Sequence, residues 1–156
     1  MNKCCFTGHR DMAENEDDVR YTVRALIESM IDKGIVEFIS GGAVGFDTLC
    51  AKLIISMKDE YPDLKLHLAL PCHNQERFWS LKQKREYLYI IYNADSVKYV
   101  SEHYSRWCMH ARNRYMVDNS QYVIAYCRKK SGGAFRTIDY AKKHNKTVVN
   151  VSEMFK

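Results

Sequence analysis

The stretch CCFTGHR, Cys4–Arg10, decides the fold, together with FISGGAVGFD, Phe38–Asp47. In each stretch, a short apolar run typical of a strand buried on both faces passes directly into glycine and polar residues. A segment with helical periodicity follows each of them, from Asn15 and from Phe46 respectively. Strand, glycine-containing turn and helix in this order predict βαβ units in a parallel sheet.

The same alternation continues to the end of the chain without a linker or a repeat. We predict strands at Cys4–Thr7, Val36–Ser40, Leu66–Leu70, Val97–Val100, Tyr122–Tyr126 and Thr147–Val151. We predict helices from Asn15 to Gly34, Phe46–Asp59, about Gln75–Tyr92, about Ser105–Asn119 and Arg136–His144. Residues 1–156 are therefore expected to form one α/β, Rossmann-like domain, with a mainly parallel sheet of five to six strands covered by helices on both faces. The fourth strand has the weakest pattern, and its place in the sheet is left open.

Composition and charge exclude several classes of protein. The 156 residues are 46% apolar, yet no apolar run is long enough to span a membrane. The first thirty residues mix both signs of charge and lack the apolar core of a signal peptide, so a cytoplasmic location without a membrane partner is predicted. The net charge of +5 permits an anionic partner but is low for a nucleic-acid-binding chain, and nucleic acid is not expected as a partner.

The six cysteines do not indicate a metal site or disulfides. No CxxC pair is present, and most of the cysteines lie in apolar runs, as reduced core thiols do. Cys72-His73 and Cys108-x-His110 are the only pairs that resemble halves of a metal site, and neither has zinc-finger spacing. We predict neither a metal nor a cofactor.

Polar residues gather where the predicted strands end. The first strand ends in Thr7–Arg10, the second leads into Ser40–Asp47, the third into Pro71–Gln75 and the fifth into Arg128–Gly133. Ligands of open α/β sheets bind beyond the carboxyl ends of the strands, and exposed amides at helix N-termini bind anions. Neither the GxGxxG nor the Walker A pattern is present, so a standard dinucleotide site or P-loop is not supported. A phosphate-bearing ligand at this edge is the prediction.

Five motifs in order carry a family resemblance. They are TGHR, GGAxGFD, PxxxQExxW, RNxxMVD and SGGxxxTxxYAKK, at residues 7–10, 41–47, 71–79, 112–118 and 131–143. Together they resemble the YpsA-like branch of the SLOG superfamily, which also includes the Lonely Guy phosphoribohydrolases and the DNA-processing protein A family. The resemblance implies a Rossmann-like fold and a nucleotide or NAD/ADP-ribose-derived ligand. Because some SLOG domains sense NAD-derived signals, it also implies a role in anti-phage defence or counter-defence.

The strand ends and the motifs together give the predicted ligand-binding residues. These are Thr7, Gly8, His9, Arg10, Ser40, Gly41, Gly42, Gly45, Asp47, Gln75, Trp79, Arg112, Asn113, Gly132, Gly133 and Thr137. His9 is interpreted as a ligand contact, with a hydrogen bond to a neighbouring backbone carbonyl as the alternative. Trp79 and Trp107 are both expected to anchor a helix to the sheet rather than to stack on a base, and Trp79 is in addition a candidate wall of the site.

Enzymatic activity is left open by the same motifs. Arg112 matches the catalytic arginine of the Lonely Guy enzymes, but Tyr140 occupies the position of their glutamate, in a loop one residue longer. Asp139 is the next residue towards the N-terminus, so on a helix it is rotated by about 100° around the axis from the position of that glutamate. Asp47 could replace the glutamate only if the ligand were bound in a different orientation. Arg112, Asp47 and Asp139 are therefore the catalytic candidates of a nucleotide N-glycosidic hydrolase.

The function predicted from the sequence is binding, for sensing or sequestration, of a nucleotide-derived small molecule. The N-glycosidic hydrolase is the alternative. A second alternative is single-stranded DNA binding, for which the 11 tyrosines and two tryptophans would provide stacking surfaces. Related folds often dimerise, so a homo-oligomer is compatible with the resemblance.

Overall fold

The computed structural model describes residues 2–155, in which strands and helices alternate. The strands are β1 (Lys3–Gly8), β2 (Glu37–Ser40), β3 (Lys65–Leu70), β4 (Ser96–Tyr99), β5 (Tyr122–Tyr126) and β6 (Thr147–Asn150). The α-helices are α1 (Glu16–Asp32), α2 (Phe46–Met57), α3 (Leu81–Asn93), α4 (Cys108–Asp118) and α5 (Gly133–Lys143). A short 3₁₀ helix, Val151–Met154, follows β6.

The six strands of the described residues pair in parallel in the order β4-β3-β2-β1-β5-β6. This confirms the predicted Rossmann-like α/β fold and places β4, whose four residues are all exposed, at one edge. The chain moves outward from β1 to β4 and then returns to the other side of β1 as β5. The strand order thus reverses between β1 and β5, and the loops after these two strands border the crevice where ligands of such sheets bind.

The sheet separates two apolar cores. Alternating residues of β1 point to opposite faces, so Phe6 joins the core under α1, α2 and α3, while Cys5 joins the core under α4 and α5. Phe6 stacks on Phe38 of β2, with ring centroids 5.7 Å apart. Burial on both faces explains why the strands read as continuous apolar runs. All six cysteines are buried free thiols, as predicted.

Three predicted helix starts were wrong, and capping explains the largest error. The Ser80 hydroxyl accepts from the Gln83 amide while the Gln83 side chain accepts from the Ser80 amide, so α3 begins at Leu81 and not at Gln75. The other two corrections are starts at Cys108 instead of Ser105 and at Gly133 instead of Arg136. The loop of residues 71–80 is consequently longer than expected, and α5 begins directly at the glycine pair.

Candidate functional site

The turn between β5 and α5 presents an open helix N-terminus. Gly132 is the N-cap of α5, with a φ of +94° and no side-chain cap, and Gly133 is the first helical residue. Apart from the adjacent residues and the backbone of α5 itself, no heavy atom of the described residues lies within 4 Å of the position that a Cβ would take at either glycine. The first amides of a helix have no partner within the helix, so these groups are available to an anion. The exposed Lys129 and Lys130 precede them and add positive charge.

His9 fixes this turn to the end of β1. Its Nε2 accepts a hydrogen bond from the Arg128 amide at 2.9 Å. Because Nε2 is the acceptor, the ring is neutral with its proton on Nδ1. Burial lowers the His9 pKa, and the nearby Lys129 lowers it further. The alternative of a bond to a backbone carbonyl is wrong in its partner, because the ring accepts from the Arg128 amide N–H. The role of His9 as a ligand contact stays a prediction.

A polar cluster fastens the β1–α1 loop to β5. The Tyr126 hydroxyl donates to Glu14 at 2.5 Å and accepts from the Ala13 amide at 3.1 Å and from Arg128 Nε at 3.0 Å. Arg128 also forms an ion pair with Glu14. The charge of Arg128 is therefore balanced within the protein. Lys129 and Lys130 are the better placed cations for an anionic ligand.

The glycine turn between β2 and α2 is closed rather than open. Buried Arg112 donates to the Gly41 carbonyl at 2.6 Å and to the Ala69 carbonyl at 3.4 Å, and Gln75 reaches the same Gly41 oxygen at 3.4 Å. A Cβ at Gly41 would come within 2.4 Å of Arg112 Nη1 and 2.9 Å of Asp47 Oδ2. Glycine is required here by this close approach, and Arg112 braces the ends of β2 and β3.

Asp47 is the most perturbed acid described in this region. It is buried beside Arg112, and its Oδ1 has no hydrogen-bond partner among residues 2–155. Burial raises its pKa from 3.8 to about 6, although Arg112 and the Ala43 backbone oppose the shift. A buried carboxyl with a pKa near neutrality, beside a guanidinium, has the protonation behaviour expected of a general acid or base.

The Asp47→Asn variant is expected to change how stability depends on pH. The folded-state pKa lies above the unfolded value, so the unfolded chain loses this proton first and stability falls as pH rises from about 4 to about 6. The loss amounts to up to about 3 kcal/mol and is complete above that range. Urea unfolding between pH 4 and 7 should show the free energy of unfolding of wild type, relative to that of Asp47→Asn, falling as pH rises. Parallel pH profiles would contradict the buried-acid assignment.

The remaining predicted residues separate into different surroundings. Arg10 and Gly45 line a groove of about 660 Å³ bordered by the β1–α1 loop, α2 and α3. Asn113, Thr137 and Asp139 line a second groove, of about 400 Å³, between α4 and α5. Thr7 and Ser40 are buried at the ends of β1 and β2, and Gly8 and Gly42 pack against Phe46 and Leu70. The structure thus brings Asp47, Gln75 and Arg112 together, whereas Asp139 lies apart from them in the α4–α5 groove.

The two tryptophans differ in role. Trp79 lies edge-on to Tyr87, 5.1 Å between ring centroids, and packs against the core, as an anchor does. Trp107 was expected to anchor as well, and this is wrong, because its side chain is 60% exposed with the Arg106 guanidinium 4.7 Å from its ring centroid. Phe78 is 88% exposed beneath Arg77 in the same manner. Phe78 lies in the loop after β3, and Trp107 lies in the loop after β4.

Several cations near the glycine turn were missed by the sequence interpretation. Arg136 follows Gly133 by three residues, within the first turn of α5, and lines the α4–α5 groove with Arg114 and Lys143. The position of Arg136 could have been found from its spacing to the glycine pair. Arg114 could not, because its proximity depends on how α4 packs against α5.

Among residues 2–155, no group of three or more His, Cys, Asp or Glu side chains is placed to hold a metal ion. None of the helices within residues 2–155 combines the length and the apolar character that crossing a membrane requires.

Comparison of the sequence with known proteins gives a family match and several relatives. The YpsA family model, described as the YspA SLOG family, matches residues 4–153. The SPbeta prophage-derived protein YoqJ of Bacillus subtilis (strain 168) is 31% identical over 132 residues, 76% of this chain and 77% of YoqJ. A UPF0398 protein of Bacillus thuringiensis (strain Al Hakam) is 25% identical over 128 residues, 80% of this chain and 70% of that protein.

Comparison of the structure finds DNA processing protein A (DprA). DprA from Streptococcus pneumoniae superposes with a TM-score of 0.68 at 20% identity, and DprA from Helicobacter pylori, described with a single-stranded DNA binding mode, with 0.62 at 18%. Each match covers 94% of this chain, which spans 48% of the first DprA chain and 63% of the second. At these identities the likeness shows a shared fold.

Proposed function

Because the chain belongs to the YspA SLOG family, as its motifs predicted, we propose that it binds a nucleotide or a nucleotide-derived molecule at the carboxyl edge of its sheet. The phosphate lies on the amides at the N-terminus of α5, in the turn that begins with Ser131 and Gly132. The sugar and base extend across the crevice between the ends of β1 and β5, where the strand order reverses.

The observation on which this proposal rests is the contrast among the helix N-termini at this edge. Side chains of Asn15 and Ser80 cap α1 and α3. Helices α2, α4 and α5 begin without a side-chain cap. A Cβ at Gly45, the N-cap of α2, would lie 2.3 Å from the Arg10 carbonyl oxygen, whereas Gly132 has open space around it. The turn that leads to it is held by His9 and carries two exposed lysines. A rigid, uncapped and electropositive helix end is suited to a phosphate.

Arg10 is proposed to supply a further charge to the ligand from the β1 side. It follows His9, and its side chain is exposed. We expect Arg10→Ala to weaken the binding of AMP, used as the probe, by about tenfold to a hundredfold, the loss of one charge-assisted hydrogen bond. Isothermal titration calorimetry of the purified protein measures this change.

Arg20→Ala is the matched control for Arg10→Ala. Arg20 lines the same groove, but it pairs with Glu16 and Asp17 on its own helix. Its substitution should leave AMP affinity and the melting temperature nearly unchanged. Equal AMP affinity for wild type and Arg10→Ala would remove Arg10 from the site.

Nucleotide N-glycosidic hydrolysis is a second candidate function, favoured by the buried pair of Asp47 and Arg112. With a pKa of about 6, Asp47 can gain and lose a proton near neutral pH. A general base needs this property to take a proton from the water that attacks the anomeric carbon. Asp139 does not offer this environment, since it is exposed and paired with Lys143 at 2.9 Å. Chromatography of AMP after long incubation, looking for free adenine, distinguishes hydrolysis from binding.

Single-stranded DNA binding is favoured by a different observation, the exposed rings of Phe78 and Trp107 with guanidinium groups against them. Aromatic side chains beside arginines are suited to stacking on bases. The H. pylori DprA neighbour, described with a single-stranded DNA binding mode, is in tension with the expectation that nucleic acid is not a partner. Fluorescence anisotropy with a labelled oligothymidine, for wild type and Trp107→Ala, tests this candidate.

A further inference from the structure

The groove between α4 and α5 is rich in cationic side chains. Its volume is about 400 Å³, and its lining includes Arg114, Arg136 and Lys143 together with His110 and His144. Asp139 is the one carboxylate in that lining, and it pairs with Lys143 at 2.9 Å. Two permanent positive charges therefore remain without a carboxylate partner in the groove lining.

The groove begins within the first turn of α5, next to the proposed phosphate site, since Arg136 and Thr137 line it. Thr137, one turn after Gly133, lines the groove and donates its hydroxyl to the Gly133 carbonyl at 2.7 Å. Tyr140 lies one further turn along, about 10 Å from Gly133 by the rise of an α-helix. A ligand anchored at the glycine turn can therefore extend into the groove.

The far part of the groove holds Arg114 in a fixed position. Its guanidinium lies 5.2 Å from the Tyr140 ring centroid, and the Tyr140 hydroxyl donates to Asp118 at 2.7 Å. His144 contacts the same ring, with centroids 4.0 Å apart. An arginine stacked on an aromatic ring keeps its N–H donors free at its edges, which suits recognition of a phosphate.

We infer that this groove binds a second phosphate of the nucleotide, separated from the first by at least a ribose. The inference rests on the proposed function, because the first phosphate is placed at the α5 N-terminus. The distance along α5 decides the class of ligand: two directly bridged phosphates would both remain near Gly133 and would not reach Arg114. The proposed ligand is thus a nucleotide whose two phosphate groups are separated by at least a ribose. A nucleoside monophosphate, or a nucleoside diphosphate with directly bridged phosphates, would not occupy both sites.

The test compares AMP, ADP and adenosine 3′,5′-bisphosphate by calorimetry on wild type and Arg114→Gln. We expect the bisphosphate to bind wild type about tenfold more tightly than AMP or ADP, as one added charge-assisted contact predicts. In Arg114→Gln this advantage should disappear while AMP affinity stays the same. Arg114→Lys, which keeps the charge, should retain part of the advantage.

Lys142→Gln provides the matched control, since Lys142 is exposed on the same helix and is not part of the groove lining. It should keep the full preference for the bisphosphate. Equal affinities for AMP and the bisphosphate in wild type, or an equal loss in Lys142→Gln and Arg114→Gln, overturns the inference and leaves the proposed function intact. Binding of none of the three nucleotides overturns the proposed function and the inference with it.

Discussion

Gly45→Ala is expected to destabilise the protein by about 4 kcal/mol, the largest effect of any single methyl group added at a glycine of this site. Gly45 has a φ of +93°, and a Cβ there would lie 2.3 Å from the Arg10 carbonyl oxygen. The atoms that the added methyl group would approach belong to the Arg10 backbone, so no side-chain rotation relieves the contact. The Phe46 amide also donates to the His9 carbonyl at 3.1 Å, which joins the β1 loop to the start of α2.

Gly34→Ala separates backbone strain from steric contact. Its φ of +84° is similar, but no heavy atom of the described residues lies within 4 Å of its Cβ position. Only the cost of the left-handed conformation, about 1–2 kcal/mol, applies there. Urea unfolding of both variants measures the difference. Equal losses in Gly45→Ala and Gly34→Ala would show that the close approach of the Arg10 backbone adds no steric cost at Gly45.

Gly132→Ala is expected to lower AMP affinity by more than about tenfold while the protein stays folded. Gly132 has a φ of +94° with ψ near 180°, a conformation almost restricted to glycine, so alanine costs about 1–3 kcal/mol there. The turn relieves this strain by rotating its peptides, which moves the amides away from the phosphate. Calorimetric titration with AMP gives the affinity, and far-UV circular dichroism checks the fold.

Gly34→Ala again serves as the control for this second variant. It introduces a similar strain, but Gly34 lies after α1, near the opposite end of the strands from the glycine turns. AMP affinity should therefore not change in Gly34→Ala. An unchanged affinity in Gly132→Ala would mean that the α5 N-terminus does not bind the phosphate.

The fold followed from the sequence because both faces of the sheet are buried. Continuous apolar strands separated by helical patterns permit few arrangements other than a covered parallel sheet. Helix starts were less predictable, because the Ser80 cap and the role of Gly133 as a first helical residue depend on single hydrogen bonds and dihedral angles. The place of β4 in the sheet was not predicted, because β4 is an edge strand whose exposed residues give only a weak apolar pattern in the sequence.

The site was predictable in its location at the strand ends but not in its internal arrangement. The two glycine turns look alike in sequence, yet Arg112 closes the one around Gly41, while the one at Gly132 stays open. That difference depends on a side chain 71 residues away from Gly41. The same holds for His9, whose backbone partner, Arg128, lies in the loop after the neighbouring strand β5. Long-range contacts of this kind leave no local pattern in the sequence.

The most direct test of the central claim is an NMR titration of ¹⁵N-labelled protein with AMP. Phosphate bound at the α5 N-terminus should give its largest amide shift changes at Gly133 and Ala134, because a hydrogen bond to an anion moves the amide proton strongly. Smaller changes should follow at His9, whose ring holds the turn. Saturable shifts confined to the opposite edge of the sheet, with Gly133 and Ala134 unmoved, would contradict the account.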